Sequence, residues 1–361
     1  MLAFNYIALH YIKYFLIILV ALSLFFVGFD YMGNVNKLHI SANLLLIYLV
    51  YKTFFAIDML LPLSLVFGMI STKIFLIRSN ALVSFFSLGY SRNDVLRPFV
   101  VVSVLITMVF ISLHSWSNFA RADEFSNNIR NTSQYLNPTR DLFFAYKGKY
   151  IYFEELLPLQ EKAVGIRVFS VQNHSLHSIL EAKSAVYRDN SWYITRADII
   201  SKPDDMSFDS SGIGVKAVKD LKILEGFRPK MLDQIYEGKV NFTIKNAIDA
   251  ILLLENQNID TRSIKGALYK IFVYPFFAPL LIVIIFFFVP MSVRFLNVSL
   301  FSFGAILSTL LIWGILFSLI ELANNKTISS EAGVIAPILL LGLLAIWQWK
   351  RHVTPKISSP S

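Results

Sequence analysis

The chain has 361 residues, of which 55% are hydrophobic and only 16% charged, and its mean hydropathy is +0.58. This balance excludes an ordinary soluble protein and places the chain among polytopic membrane proteins. A net charge of +9 then reads as Lys- and Arg-rich cytoplasmic loops rather than nucleic-acid binding, and the absence of cysteine excludes disulfides, thiolate metal sites and cysteine nucleophiles.

A spanning helix needs about 20 mostly apolar residues. The first such run is Tyr14–Phe29, preceded by the aromatic segment Phe4–Lys13 that starts the helix. It lacks a small-residue cleavage site and reads as a retained helix rather than a signal peptide. The second run, Leu44–Ile70, contains Lys52, Asp58 and Pro62. It is too long for one hydrocarbon core, so the span proper is expected from Phe54 to Leu76, with Lys52 and Asp58 at or above an interface. Pro98–Trp116 is the third. Ile271–Val289, Phe295–Ile320 and Ala332–Trp349 follow a long polar middle. Within the fourth run, Pro275, Pro279 and Pro290 are read as bends or ends of a helix.

Six spans place both termini on one side. The short segments on that side carry Lys13, Lys73, Arg78, Arg92, Arg97, Arg294, Lys350, Arg351 and Lys356, against only Lys37 and Lys326 on the other. Positive charge marks the cytoplasmic side, so the middle, Ser117–Lys265, is expected outside the cytoplasm. Phe143–Phe153, Gly165–Val171 and Ser184–Ile200 are rich in aromatic and β-branched residues with period-two stretches, and Ile213–Glu225 continues the pattern. Asp189-Asn190 suits a hairpin turn. These strands predict an antiparallel sandwich or jelly roll, followed by an amphipathic helix over Thr243–Glu255.

Chemical motifs are scarce. There is no GxxxxGK[ST] loop, so the chain is not itself a P-loop ATPase. The six histidines form no HExxH, and His174 and His177, three apart, do not make a ligand set. No catalytic or metal-binding residue and no cofactor is expected. Asp58 is the sole acidic residue in the predicted spans, which argues against ion-coupled transport and for energy supplied by another protein.

The segment 78–92, RSNALVSFFSLGYSR, joins the second and third spans. Written as a helix it places Leu82, Phe85, Phe86 and Gly89 on one stripe. Two readings fit that stripe: an interfacial helix resting on lipid, or a helix that anchors a cytoplasmic partner.

The whole arrangement resembles the LptF/LptG permeases of the lipopolysaccharide export ABC transporter. The resemblance rests on LPLSLVFGMI (61–70), LGYSR (88–92), ILEAKSAVYRDNSWYITRADI (179–199) and DTRSIKGALYKIFVYPFFAPL (260–280), in that order. The first two helices lean toward the LptG member. The resemblance implies a polytopic α-helical membrane protein of the bacterial inner membrane, with six transmembrane helices and an inserted extracytoplasmic antiparallel β-jelly-roll domain. The divisions would be 1–116 for three helices with a cytoplasmic coupling helix at 78–92, 117–265 for the periplasmic domain and connecting helix, and 266–361 for the last three helices and tail. It also implies partners: a dimer of the ATPase LptB, the companion permease LptF or LptG, LptC and LptA, with lipopolysaccharide as substrate. Leu82, Phe85, Phe86 and Gly89 would then face the ATPase rather than lipid. The acidic residue usual early in that helix is replaced by Ala81, so docking would lean on apolar contact. Lys37, Lys52 and Arg130 are the nearest substitutes for the basic residues that meet lipid A phosphates.

Two alternatives stand beside export. A scaffold subunit that couples an ATPase to an outer domain without conducting lipid predicts a closely packed bundle. A membrane enzyme acting on a lipid-linked substrate predicts a carboxylate or histidine constellation at the membrane boundary.

Overall fold

A computed structural model describes residues 2–35, 41–130, 139–146, 149–157, 161–172, 175–189, 191–202, 214–225, 243–245, 247–248, 251, 262–288, 298–325 and 327–353. Six helices are long and apolar enough to cross a membrane, and an antiparallel six-stranded sheet is inserted between the third and fourth. The protein is a polytopic α-helical membrane protein with an inserted β domain. The chain divides into two compact units, 1–130 with 242–244 and 265–361, and 131–241 with 245–264.

In the helical unit, α1 (Leu2–Asn34) and α2 (Ala42–Arg78) are joined closely. Gly68 makes this approach feasible: a Cβ there would lie 2.9 Å from the Cα of Phe15, nearer than non-bonded carbons tolerate. The Tyr11 hydroxyl donates to the Leu65 carbonyl at 3.1 Å across the same seam. α2 runs unbroken for 37 residues, about 55 Å at about 1.5 Å per residue, so the segment around Lys52 continues the second span rather than preceding it. It is also the central helix. In its most apolar stretch 72% of residues are buried, against 22% in both the first and fifth spans, whose apolar faces point outward.

A short helix α3 (Ala81–Ser87) leads to α4 (Arg92–Leu113), α5 (Ser117–Ala120) and α6 (Ala122–Arg130). The fourth span is broken, as its prolines predict. α7 (Arg262–Phe272) gives way to a 3-10 turn at Tyr274–Phe276 and resumes as α8 (Phe277–Phe288), because Pro275 has no N–H for the carbonyl four residues back. Pro290 lies outside the described residues. The fifth span is α9 (Val298–Asn324); the sixth begins with a π turn at Glu331–Ile335 and continues as α10 (Ala336–Val353).

The sheet is a meander in chain order: β1 (Thr139–Tyr146), β2 (Lys149–Leu157), β3 (Lys162–Gln172), β4 (Ser175–Arg188), β5 (Ser191–Ser201) and β6 (Gly214–Ile223). The stretch Phe143–Phe153, read as one run, is parts of two strands, with Tyr146 paired to Lys149. β4 and β5 pair as the expected hairpin, Arg188 with Ser191, and Asp189 has φ 47°, the left-handed conformation that tight hairpin turns require; Asn190 lies outside the described residues. Strands beyond this meander that would close a jelly roll, and most of the helix expected over Thr243–Glu255, fall outside the described residues.

One line across the sheet departs from simple alternation. The rungs Asp141–Glu154, Glu154–Gly165, Gly165–Lys183 and Thr195–Asp220 are absent from the ladder, as are the three from Lys183–Arg196 to Ala185–Ile194 between β4 and β5, and the register is the same on both sides. Asp141, Gly165 and Asp220 have positive φ, and a Cβ on Gly165 would collide with the Glu154 side chain. The buried positions slip at this crease: Ile151 and Phe153 give way to Leu156, Ala163 to Ile166 and Val168, and Trp192 and Ile194 to Ala197. A spacing of three replaces a spacing of two, while Phe153 and Trp192, their rings 5.4 Å apart, keep one continuous core.

Candidate functional site

Two groups of side chains sit at opposite ends of α2. From Lys52 to Arg78 the helix rises about 39 Å, more than the roughly 30 Å of a hydrocarbon core.

The segment after Arg78 is a helix held at both ends by its own chemistry. Asn80 enters with φ 56°. At the other end Tyr90 N–H donates to the Phe85 carbonyl and Gly89 N–H to the Phe86 carbonyl, at 3.1 and 3.0 Å, with Gly89 at φ 86°. This is the Schellman arrangement, and its usual hydrophobic partner contact is the edge of Tyr90 on Phe85, rings 6.0 Å apart. The next residue, Ser91, opens α4 with a capping box: Asp94 N–H donates to the Ser91 hydroxyl oxygen at 3.2 Å and Ser91 N–H to the Asp94 carboxylate at 3.0 Å. In LGYSR, therefore, Gly89 stops one helix, Tyr90 covers the stop and Ser91 starts the next.

The apolar stripe on α3 is turned differently from expectation. Leu82 is 1% exposed, and Phe85 and Phe86 are partly buried against the helical core. Phe85 also meets Tyr6 of α1, ring edge to face at 6.1 Å. The stripe does what an amphipathic helix does first, which is to cover its own protein. The apolar side chains left outward are Val83, 44% exposed, and Leu88, 74% exposed. Gly89 is exposed but has no side chain to offer.

Lys73, read from sequence as a flanking charge, is 3% exposed. Its Nζ donates to the Phe286 carbonyl and lies 3.6 Å above the Phe286 ring. Phe286 is in the last turn of α8, where carbonyls lack helical partners and a cation is favoured. Nothing in the local sequence distinguishes Lys73 from a snorkelling lysine; its acceptor is 213 residues away.

At the other end Lys52 is 4% exposed and lies 3.7 Å from Asp30 and 3.5 Å from Asp123. Asp30 also accepts from the Tyr48 hydroxyl, and Arg121 is bound by both oxygens of Glu124. Asp58, expected alone near an interface, is paired. Nε2 of His114 lies 2.9 Å from its carboxylate and Nδ1 faces the Phe110 carbonyl at 3.1 Å, with the rings of Phe110 and Phe119 edge-on to the imidazole. His114 is also the cap of α4.

The expected phosphate contacts thus part company. Lys52 is enclosed and its charge is committed to two carboxylates. Arg130 is partly exposed in the last turn of α6 and has no ion-pair partner among the described residues. Lys37 lies outside the described residues. Among the described residues no group of three or more His, Asp and Glu could hold a metal ion.

The sequence profile of the family described as lipopolysaccharide export system permease LptF/LptG matches residues 5–351. No curated protein matches the chain.

Proposed function

Because the chain belongs to the LptF/LptG family of lipopolysaccharide export permeases, we propose that it extracts lipopolysaccharide from the outer leaflet of the bacterial inner membrane. A dimer of the ATPase LptB supplies the energy, and a companion permease, LptF or LptG, completes the membrane path. LptC and LptA receive the lipid. In this reading the basic end of the bundle, with both termini, is cytoplasmic, and residues 117–265 are periplasmic between the helical segments 1–116 and 266–361. The observation that carries the reading is the family match across nearly the whole chain, with its six spans and inserted sheet.

The segment 78–92 is the coupling element. Leu82, Phe85 and Phe86 fix it to the bundle, and Val83, Leu88 and the outer edge of Phe86 meet the ATPase. With Ala81 in place of an acid, the contact is apolar, which makes exposed Leu88 its strongest outward group. At the opposite end Arg130 and Lys37 meet lipid A phosphates. Lys52 takes part only if phosphate displaces Asp30 or Asp123.

Co-purification with the ATPase, followed by photocrosslinking to lipopolysaccharide from positions 37 and 130, tests the reading. We expect a complex that retains the ATPase and crosslinks lipid at position 130. A complex that hydrolyses ATP but crosslinks lipid nowhere along the helical unit returns the protein to a scaffold role. Val83→Asp with Leu88→Asp should release the ATPase without altering membrane insertion, and undiminished retention would refute docking through this face.

A further inference from the structure

A cavity of about 450 Å³ opens at the Arg78 end of the bundle, lined by Tyr14 of α1, by Ser71, Ile74, Phe75 and Arg78 of α2, and by Ser79. Its walls are of two kinds. Ile74 and Phe75 are apolar, and Phe75 is fixed by Tyr14, ring centroids 5.9 Å apart, and by His10, stacked at 4.8 Å. The remaining side chains carry donors. The Ser79 hydroxyl is used, donating to the Phe75 carbonyl at 2.9 Å and reaching the Leu76 carbonyl at 3.4 Å. The Tyr14 and Ser71 hydroxyls and the Arg78 guanidinium have no hydrogen-bond or ion-pair partner among the described residues.

Ser71 differs in this from Thr72, which bonds back to the carbonyl of Gly68 at 2.7 Å. From Tyr14 a run of exposed apolar side chains, Ile17, Val20 and Leu24, leads along α1 toward the other end at helical spacing.

We infer that this cavity binds the phosphate of a membrane glycerophospholipid, with an acyl chain lying along Ile17, Val20 and Leu24. A guanidinium with two hydroxyls is a phosphate-recognising set, and an arginine at the end of a spanning helix reaches for the headgroup region. The apolar wall and the stripe leading from it select a phosphate that carries a hydrocarbon chain over free phosphate. The inference rests on the membrane placement of this end and not on the lipid A contacts, which the export reading places at the opposite end of α2. Its failure leaves the export reading standing.

The test is native mass spectrometry of the full-length chain, purified in detergent, stripped of lipid and titrated with dioleoyl phosphatidylglycerol. One lipid should bind tightly, Arg78→Ala should weaken it about tenfold, as loss of a charge-assisted hydrogen bond does, and Tyr14→Phe about threefold. Arg97→Ala is the control: it removes the same charge from an exposed residue that lies outside the cavity and is paired with Asp94 at 3.5 Å, and it should leave the affinity unchanged. Equal loss in Arg97→Ala and Arg78→Ala would reduce the effect to general surface charge and overturn the site. Binding of dioleoylglycerol as tight as that of phosphatidylglycerol overturns phosphate recognition. Displacement of the lipid by an equal concentration of inorganic phosphate overturns the lipid as occupant.

Discussion

The two ends of α2 treat polar groups in opposite ways. Around Lys52, basic side chains and carboxylates answer one another: Asp30 and Asp123 flank the lysine, Glu124 holds Arg121, and His114 holds Asp58. Around Arg78, the Tyr14 and Ser71 hydroxyls and the Arg78 guanidinium open onto a cavity with no partner among the described residues, and the backbone is ordered by helix caps. The difference separates two uses of charge. A closed network fixes the geometry of helix ends; an open set of donors is held for something that arrives. A closed network is costly to break from one side, because the charge left behind is buried and unanswered. An open set is cheap to alter in the folded protein and shows its loss in binding.

Lys52→Ala should therefore give the largest loss of stability. Two carboxylates lose their cation, and with Asp123 a third exposed the cost is at the lower end of the range for a broken buried pair, about 3 kcal/mol. Unfolding by SDS measures it, and Lys52→Met combined with Asp30→Asn should recover part of the loss. If Lys52→Ala unfolds like the parent, the closed description of that end is wrong.

Next in size is His114→Leu, which leaves the Asp58 carboxylate without its donor at a cost of about 2 kcal/mol. Adding Asp58→Asn should remove much of that penalty, and a cycle of single and double variants in the same unfolding assay isolates the coupling.

The Arg78 end should yield smaller numbers. Gly89→Ala meets no atom within 4 Å, so its cost is that of forcing φ 86° on an L residue, about 1 kcal/mol. Faster amide exchange at Tyr90 checks it, because the Tyr90 N–H is the donor that closes the helix. Asp94→Asn keeps the Ser91 cap but weakens the reciprocal bond, for about 0.5 kcal/mol, seen as earlier exchange in the first turn of α4. A loss here as large as that of Lys52→Ala would erase the contrast between the ends.

Much of this was legible in the sequence, and what was not has a common cause. The six spans follow from composition, because a bilayer demands an uninterrupted apolar stretch and little else meets that demand. The break in the fourth span follows from Pro275, since a missing N–H acts locally. The burial of Lys73, the pairing of Asp58 with His114 and the committed state of Lys52 depend on partners 213, 56 and 71 residues away, and no spacing rule brings such residues together. The stripe Leu82–Phe85–Phe86 was readable as a stripe, but periodicity gives a face without giving what covers it. In the sheet, the crease hides the alternation. A reader expecting period two loses the thread at Glu154 and Gly165, so strands look shorter than they are.

That crease also bears on how the sheet can move. An antiparallel sheet that changes curvature normally has to rupture rungs of its ladder, and each rupture strands a donor and an acceptor. Here the ladder is already interrupted along one line from β1 to β6, by three rungs between β4 and β5 and by one between each other pair of strands, with the register intact on either side. A change of curvature about that line would leave fewer donors and acceptors unpaired than one at a fully paired level. The interrupted line is thereby the level at which bending the sheet is least costly.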